Sequence, residues 1–165
     1  MSLHELVYVS LAEHPMSDAE LCELLTQARA YNQAHGITGL LVYRDREFMQ
    51  LLEGEKAEVA ALFQHIERDR RHLQVYRLWD GPIAERSCRD WVMGFAEPTD
   101  ESFHALPDGR RVVDEGLFAA GRSSAGKRIL LHLRGDLLRR QADAVATAPS
   151  YRGTERRVGG APAQC

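Results

Sequence analysis

Two carboxamide side chains stand where the pattern of apolar residues predicts buried side chains. Asn32 extends the apolar stripe of a predicted helix, and Gln50 shares a strand face with apolar neighbours. A buried amide costs free energy unless its donors and acceptors find partners. Tyr8 adds a phenol from a second predicted strand, and Trp91 and Met93 come from a third. Together these residues predict a site between sheet and helix for a planar, polar ligand that carries its own donors and acceptors.

Each of these placements also has an ordinary structural explanation. Asn32 could cap the end of the helix, and Gln50 could face water from an edge strand. Tyr8 could be an amphipathic core residue, while Trp91 and Met93 could serve only for packing. These explanations stay open for each residue singly, but they must account for several placements at once.

The elements that must position these residues follow the order βαββαββ. A capping box, Ser17 to Glu20, begins a helix that runs to about Tyr31 or Asn32, with Gly36 suited to the C-terminal turn. A second helix spans 55–68. The order predicts an α+β, ferredoxin-like mixed antiparallel sheet with both helices on one face. Apolar alternation predicts the strands at 5–11, 37–43, 48–52, 73–79 and 91–95.

The composition changes beyond Pro98. We predict a domain over 1–98, a C-terminal helical extension over 99–148, and a disordered tail over 149–165 that is rich in Gly, Pro, Ala and Arg. Two helices cover only one side of a sheet. We therefore expect the amphipathic stretch 126–146 to cover the other face or to meet a second protomer.

The bulk composition excludes several classes of protein. A formal net charge of −3 does not fit a dedicated nucleic-acid binder. No apolar run approaches the roughly 20 residues of a membrane-spanning helix, and the N-terminus lacks the features of a secretory signal. The absence of CxxC and HxxxH pairs gives no sign of a metal site. We therefore predict a cytoplasmic protein that binds neither membrane nor nucleic acid.

One motif suggests an enzyme instead. The stretch 121–127 matches the GxxxxGK part of a phosphate-binding loop. Arg128, however, stands where a Ser or Thr hydroxyl would bind Mg²⁺, and a clear βαβ context is missing. A small nucleotide or phosphate hydrolase therefore remains a minor alternative.

Five stretches of the chain form a more specific pattern than one short motif. They are LVYVS at 6–10, N-x-x-x-GITG from 32, F-x-Q-x-LEG at 48–54, I-x-x-DRRH at 66–72 and W-x-M-GF at 91–95. In order and spacing these stretches, over about residues 3–97, resemble the BLUF family, sensors of blue light using FAD. The resemblance implies a photoreceptor, not an enzyme, that binds FAD non-covalently, with FMN or riboflavin also possible.

The resemblance also implies roles for individual residues. Tyr8 would donate an electron to the excited flavin, and Gln50 would bridge Tyr8 and the ring edge. Trp91 and Met93 would lie on the strand whose environment changes on illumination. Asn32 would hydrogen-bond the carbonyl edge of the ring. The other implied flavin contacts are Ser10, Phe48, His65, Asp69, His72 and Met93, with Asp69 near the pyrimidine end.

The resemblance further implies how a signal would arise and leave the domain. Electron and proton transfer from Tyr8 would let Gln50 rotate or tautomerise, which changes donation to the flavin C4 carbonyl. The remaining ~70 residues are too few for an enzymatic output domain. We therefore expect a homo-oligomer or a separate protein partner to carry the output. The alternative is a light-independent, ferredoxin-like regulatory or dimerisation module.

Overall fold

The computed structural model describes residues 2–89, 92–96, 124–126 and 128–129. Its elements confirm the predicted order and the ferredoxin-like α+β fold. Trp91 and nearly all of the predicted extension and tail lie outside the described residues. The elements are β1 (Leu3–Ala12), α1 (Asp18–Ala34), β2 (Thr38–Arg44), β3 (Glu47–Glu55), α2 (Lys56–Arg68), β4 (His72–Pro82) and β5 (Gly94–Ala96).

The five strands form one sheet in the order β4-β1-β3-β2-β5. β1 pairs antiparallel with both β3 and β4, and β5 runs parallel to β2. β3 therefore lies at the centre of the sheet, so the edge-strand explanation for Gln50 is wrong. Tyr8 and Gln50 stand directly opposite each other in the β1–β3 pair.

Helix α1 begins and ends through local hydrogen bonds. The Ser17 hydroxyl accepts the Glu20 N–H at 3.4 Å, and the Glu20 carboxylate accepts the Ser17 N–H at 2.8 Å, which completes the predicted capping box. The His35 N–H still donates to the Tyr31 carbonyl at 3.1 Å. The helix thus continues past its predicted end to Ala34. Asn32 lies inside the helix and does not cap it.

The main core fills the space between the helices and one face of the sheet. Even-numbered β1 residues face this layer, as the alternation predicts, because successive strand side chains point to opposite faces. The core therefore surrounds the side of Tyr8 and Gln50 with apolar side chains. Its fully or nearly fully buried members include Leu6, Leu25, Ile37, Leu41, Phe48, Leu52, Val59 and Phe63.

The other face of the sheet is also buried near its centre. Val7 and Leu51 are fully buried there, and the Gly126 N–H donates to the Glu5 carboxylate at 2.9 Å. Gly126 thus contacts the face that the two helices leave open. On the edge strand β4, in contrast, Leu73 and Tyr76 are exposed. None of the helices in the described ranges is long and apolar enough to span a membrane.

The fifth strand starts later than the predicted residue 91. Asn32 Nδ2 donates to the Val92 carbonyl at 2.7 Å, and Arg29 Nε donates to the Met93 carbonyl at 3.1 Å. These two carbonyls are therefore bound by side chains of α1. Met93 precedes β5 and is held by α1 against the sheet.

Candidate functional site

A cavity of about 220 Å³ lies between the two helices and the centre of the sheet. Both predicted amides and the predicted phenol line it. Apolar side chains from α1 and α2 form two of its walls, which suits a flat ligand with a polar edge. The lining residues are Tyr8, Leu24, Gln27, Ala28, Tyr31, Asn32, Leu41, Gln50, Leu62, His65, Ile66, Asp69, Arg71 and His72.

Three side chains form a hydrogen-bonded chain on the sheet side of the cavity. The Tyr8 hydroxyl donates to Gln50 Oε1, and Gln50 Nε2 donates to Met93 Sδ at 3.3 Å. A thioether sulfur can only accept, so it needs the amino end of the amide. The carbonyl end is then left for the phenol. Two neighbours of different chemistry thus set the orientation of the Gln50 amide.

The Tyr8 phenol is held in its protonated form. Burial raises its pKa well above the usual value, and the negative charge of Asp69 raises it further. Its ring packs against Phe63 with centroids 5.6 Å apart. Tyr8 is therefore a fixed donor, and its only resolved side-chain hydrogen bond within the described residues goes to Gln50.

The side-chain oxygen of Asn32 accepts no hydrogen bond from the described residues. Asn32 Nδ2 is used by the Val92 carbonyl, while Oδ1 is buried and has no hydrogen-bond partner among the described residues. Buried side-chain oxygens nearly always have a partner, so one that lacks a partner needs an explanation. Because Asn32 lines the cavity, a ligand N–H would satisfy it.

The ionisable groups at the α2 end of the cavity are either paired with an opposite charge or held in the neutral form. Burial lowers the pKa of His72, so the ring is neutral near pH 7, and its Nδ1 lies 2.8 Å from Ser10 Oγ. Burial also acts to raise the pKa of Asp69, but hydrogen bonds from Arg71 outweigh this and lower it. Arg71 and Asp69 form an ion pair at 2.6 Å. The site as a whole therefore suits an uncharged ring.

Six of the predicted site residues line the cavity: Tyr8, Asn32, Gln50, His65, Asp69 and His72. Ser10, Phe48 and Met93 lie behind them. Ser10 contacts His72, the Phe48 ring lies 4.7 Å from the His72 ring, and Met93 supports Gln50. Their direct contact with a ligand stays a prediction.

Sequence reasoning missed three polar or aromatic lining residues, Gln27, Tyr31 and Arg71. The spacing of Gln27 and Tyr31, one helical turn apart and in line with Leu24, could have indicated a shared face. Arg71 belongs to the I-x-x-DRRH stretch at 66–72. It donates to the Asp69 carboxylate and, at 3.2 Å, to Gln27 Oε1, and so links α1 to the residues that follow α2.

Comparison with known proteins identifies the family of this chain. The family model described as BLUF, sensors of blue-light using FAD, matches residues 3–94. The chain belongs to the BLUF family. BLUF domains bind flavin and sense blue light, so the light-independent and hydrolase alternatives are not favoured.

The similar curated proteins are much longer than this chain. Photoactivated adenylate cyclase subunit alpha of Euglena gracilis is 42% identical over 81 residues, which are 49% of this chain and 8% of that protein. Subunit beta of Euglena longa is 35% identical over 107 residues, which are 64% of this chain and 12% of that protein. The similarity thus concerns a small part of each relative.

Solved structures of two other proteins have the same fold. BlrP1 of Klebsiella pneumoniae, with FMN and cyclic diGMP, has a TM-score of 0.66 and 28% identity, covering 83% of this chain and 36% of that one. The photo-activated state of BlsA has a TM-score of 0.59 and 29% identity, covering 82% of this chain and 94% of that one.

The residues of this cavity fit a flavin. The unpartnered Asn32 Oδ1 can accept from an N–H of the flavin ring, and apolar side chains such as Leu24 and Ile66 can contact its faces. The cavity is smaller than the ~300–1,000 Å³ typical of pockets for whole drug-sized ligands. It therefore suits the ring system, with the remainder of FAD reaching solvent.

Proposed function

We propose that this chain is a blue-light sensor whose response arises in the chain of hydrogen bonds from Tyr8 through Gln50 to Met93. FAD, held non-covalently with its ring in the cavity, is the proposed chromophore. The observation that carries the proposal is the Gln50 amide, whose two different ends are bound by a donor and an acceptor.

Bound flavin would supply the absorption of blue light and, once excited, a strong electron acceptor. The part of this chain is to hold and move a proton. Tyr8 points its proton at Gln50 Oε1, and this is its only side-chain hydrogen bond within the described residues, so a proton that leaves the phenol passes to the amide. Gln50 can then turn or tautomerise within its own volume.

A turned amide cannot keep its present contact with Met93. After half a turn, Oε1 would face the sulfur, and two lone-pair acceptors would oppose each other without a proton between them. Met93 would have to move or find another donor. Because α1 and Gln50 together hold Met93, the state of the amide would reach the segment 92–96 directly.

We further propose that the chain is a sensor and not an enzyme, and that a second copy or a separate protein receives its signal. The Euglena relatives are named as photoactivated adenylate cyclases, and this chain spans only 8% and 12% of the two compared above.

The direct test is a light-minus-dark absorption spectrum of the purified full chain. We expect a yellow protein whose flavin band shifts to longer wavelength under blue light and returns in the dark. Acid precipitation should leave the colour in the supernatant, since no covalent bond is proposed. A colourless protein that fails to take up added FAD, or a bound flavin with no reversible shift, would refute the proposal.

Asn32→Ala should weaken flavin binding by about tenfold. The substitution removes Asn32 Oδ1, the proposed acceptor for the flavin, and leaves the Val92 carbonyl without its donor. The loss of a hydrogen bond worth ~1–1.5 kcal/mol corresponds to a roughly tenfold loss of affinity. Fluorescence titration of the apoprotein with FAD measures it. Gln33→Ala is the matched control, because Gln33 is the next residue on α1 and is exposed. Equal affinity in the two variants would exclude a role for Asn32.

A further inference from the structure

Two glutamates form a buried pair on the face of the sheet opposite the cavity. Glu5 and Glu53 are direct partners in the β1–β3 ladder, and they are only 1% and 0% exposed. Each lies three residues from a member of the Tyr8–Gln50 pair, so the two pairs point to opposite faces of the same two strands. Acidic side chains are rarely buried to this extent without a specific reason.

Glu53 holds the connection that leads from β4 to Met93. Its two carboxylate oxygens accept the Ser87 N–H and the Cys88 N–H, each at 2.8 Å. The Arg86 guanidinium adds bonds to the Glu53 carbonyl at 3.2 Å and to the Gly36 carbonyl at 2.6 Å. The start of the segment that carries Met93 is therefore fixed to the end of β3 by both side chain and backbone.

The Glu5 carboxylate binds the C-terminal segment at Gly126. Its Oε1 accepts the Gly126 N–H at 2.9 Å, while its Oε2 is buried and has no partner within the described ranges. The contact is close: a Cβ on Gly126 would lie only 2.9 Å from Val7 Cγ2 and 3.0 Å from the Glu5 carboxylate. Gly126 therefore packs directly against β1, on the face of the sheet opposite the cavity.

The two carboxyl groups depend on each other. Burial raises the pKa of Glu53, and the charge of Glu5 raises it further, although the N–H groups of Cys88 and Ser87 act in the opposite direction. Side chains directly opposite in an antiparallel pair lie within interaction distance. If the 87–88 backbone moves away from Glu53, the Glu53 carboxylate loses the donors that stabilise its charge. The electrostatic interaction between the Glu53 and Glu5 carboxyl groups then changes.

We propose that Glu5 and Glu53 are positioning residues that pass the state of the flavin-facing site to the C-terminal segment at Gly126. The inference rests on the proposed function. A change at Gln50 displaces Met93, and the displacement reaches residues 87 and 88. The Glu53 carboxylate then changes its hydrogen bonds to these residues, and the Glu5 carboxylate changes its hydrogen bond to the Gly126 N–H. The pair thus joins two contacts that are far apart in sequence and adjacent across the sheet.

The test is hydrogen exchange of the intact, flavin-loaded chain in darkness and under blue light, followed in peptides that cover 85–96 and 124–129. In the unmodified chain we expect light to change exchange in both peptides, by about fivefold or more if the coupling has the usual strength. Glu5→Ala should retain the flavin red shift and the light effect on 85–96. It should lose the light effect on 124–129, because nothing then holds the Gly126 N–H.

Two further variants separate a positioning role from simple packing. Glu5→Gln keeps an oxygen for Gly126 and should retain the light effect on 124–129. Glu53→Gln has one acceptor for two N–H donors, so it should raise exchange of 85–96 in the dark and abolish the light effect on 124–129. Glu55→Gln is the matched control, since Glu55 is exposed and makes no side-chain bond to the helix that it precedes.

The outcomes distinguish this inference from the proposed function. A missing red shift in the unmodified chain would refute the sensor function itself. A normal red shift without any light effect on 124–129 would overturn the coupling and leave the sensor intact. The coupling would also be overturned if Glu5→Ala kept a full light effect on 124–129, or if Glu5→Gln lost it as completely as Glu5→Ala.

Discussion

Tyr8→Phe should bind flavin and show no light-induced red shift of the flavin band. The phenylalanine ring fills the same space beside Phe63, so the cavity keeps its shape. The phenol, however, is the group that gives up a proton to Gln50 Oε1, and phenylalanine has neither that proton nor an easily oxidised oxygen. Light-minus-dark spectroscopy at matched flavin loading measures the effect.

Tyr8→Phe should also lower the free energy of unfolding by about 1–3 kcal/mol, because it leaves Gln50 Oε1 buried without a donor. Tyr76→Phe is the matched control: Tyr76 is 60% exposed on the edge strand β4 and should change neither property. A normal red shift in purified Tyr8→Phe would remove Tyr8 from the photochemical site.

Gln50→Leu should abolish the red shift by a different route. Leucine approximates the volume of glutamine but has no donor or acceptor, so there is no amide whose orientation can change. Both neighbours lose their partner at once, since the Tyr8 hydroxyl and Met93 Sδ each bond to this side chain. The flavin should still bind, because Asn32 and the apolar walls remain, and the shift is measured in the same way.

The matched control is Gln64→Leu, on the exposed side of α2, which makes the same chemical change away from the cavity. It should show the full red shift and its normal return in the dark. If Gln50→Leu still produced the shift, the spectral change would have to arise from a hydrogen bond that does not involve Gln50.

The side of the sheet on which each site residue lies could be predicted from the sequence, because strand side chains alternate with a fixed period. Leu6, Tyr8 and Ser10 alternate with Val7 and Val9, and that alternation placed the phenol on the helix side. It could not predict that Tyr8 and Gln50 are direct partners. Their pairing depends on the register between β1 and β3, which are separated in sequence by a helix and a strand.

Element boundaries were less predictable, for reasons specific to each end. Asn32 was expected at the end of its helix, but the His35 N–H adds one more turn. The fifth strand was expected from residue 91, yet α1 side chains take the carbonyls of Val92 and Met93. Both differences come from hydrogen bonds that a local pattern does not contain. The buried glutamate pair was likewise missed, since a charged residue in a strand normally indicates solvent.

The spacing between Glu5 and Tyr8 has a consequence for how such a chain can vary in length. A single-residue insertion between these positions would slide β1 by one step along β3 and turn every later side chain to the other face. The carboxyl pair and the phenol–amide pair could not both survive that slip. Insertions and deletions should therefore be tolerated in the connection between β4 and β5 far better than in this three-residue interval. In a library of random one-residue insertions, the variants that keep the light-induced red shift should include few or no insertions at residues 5–8.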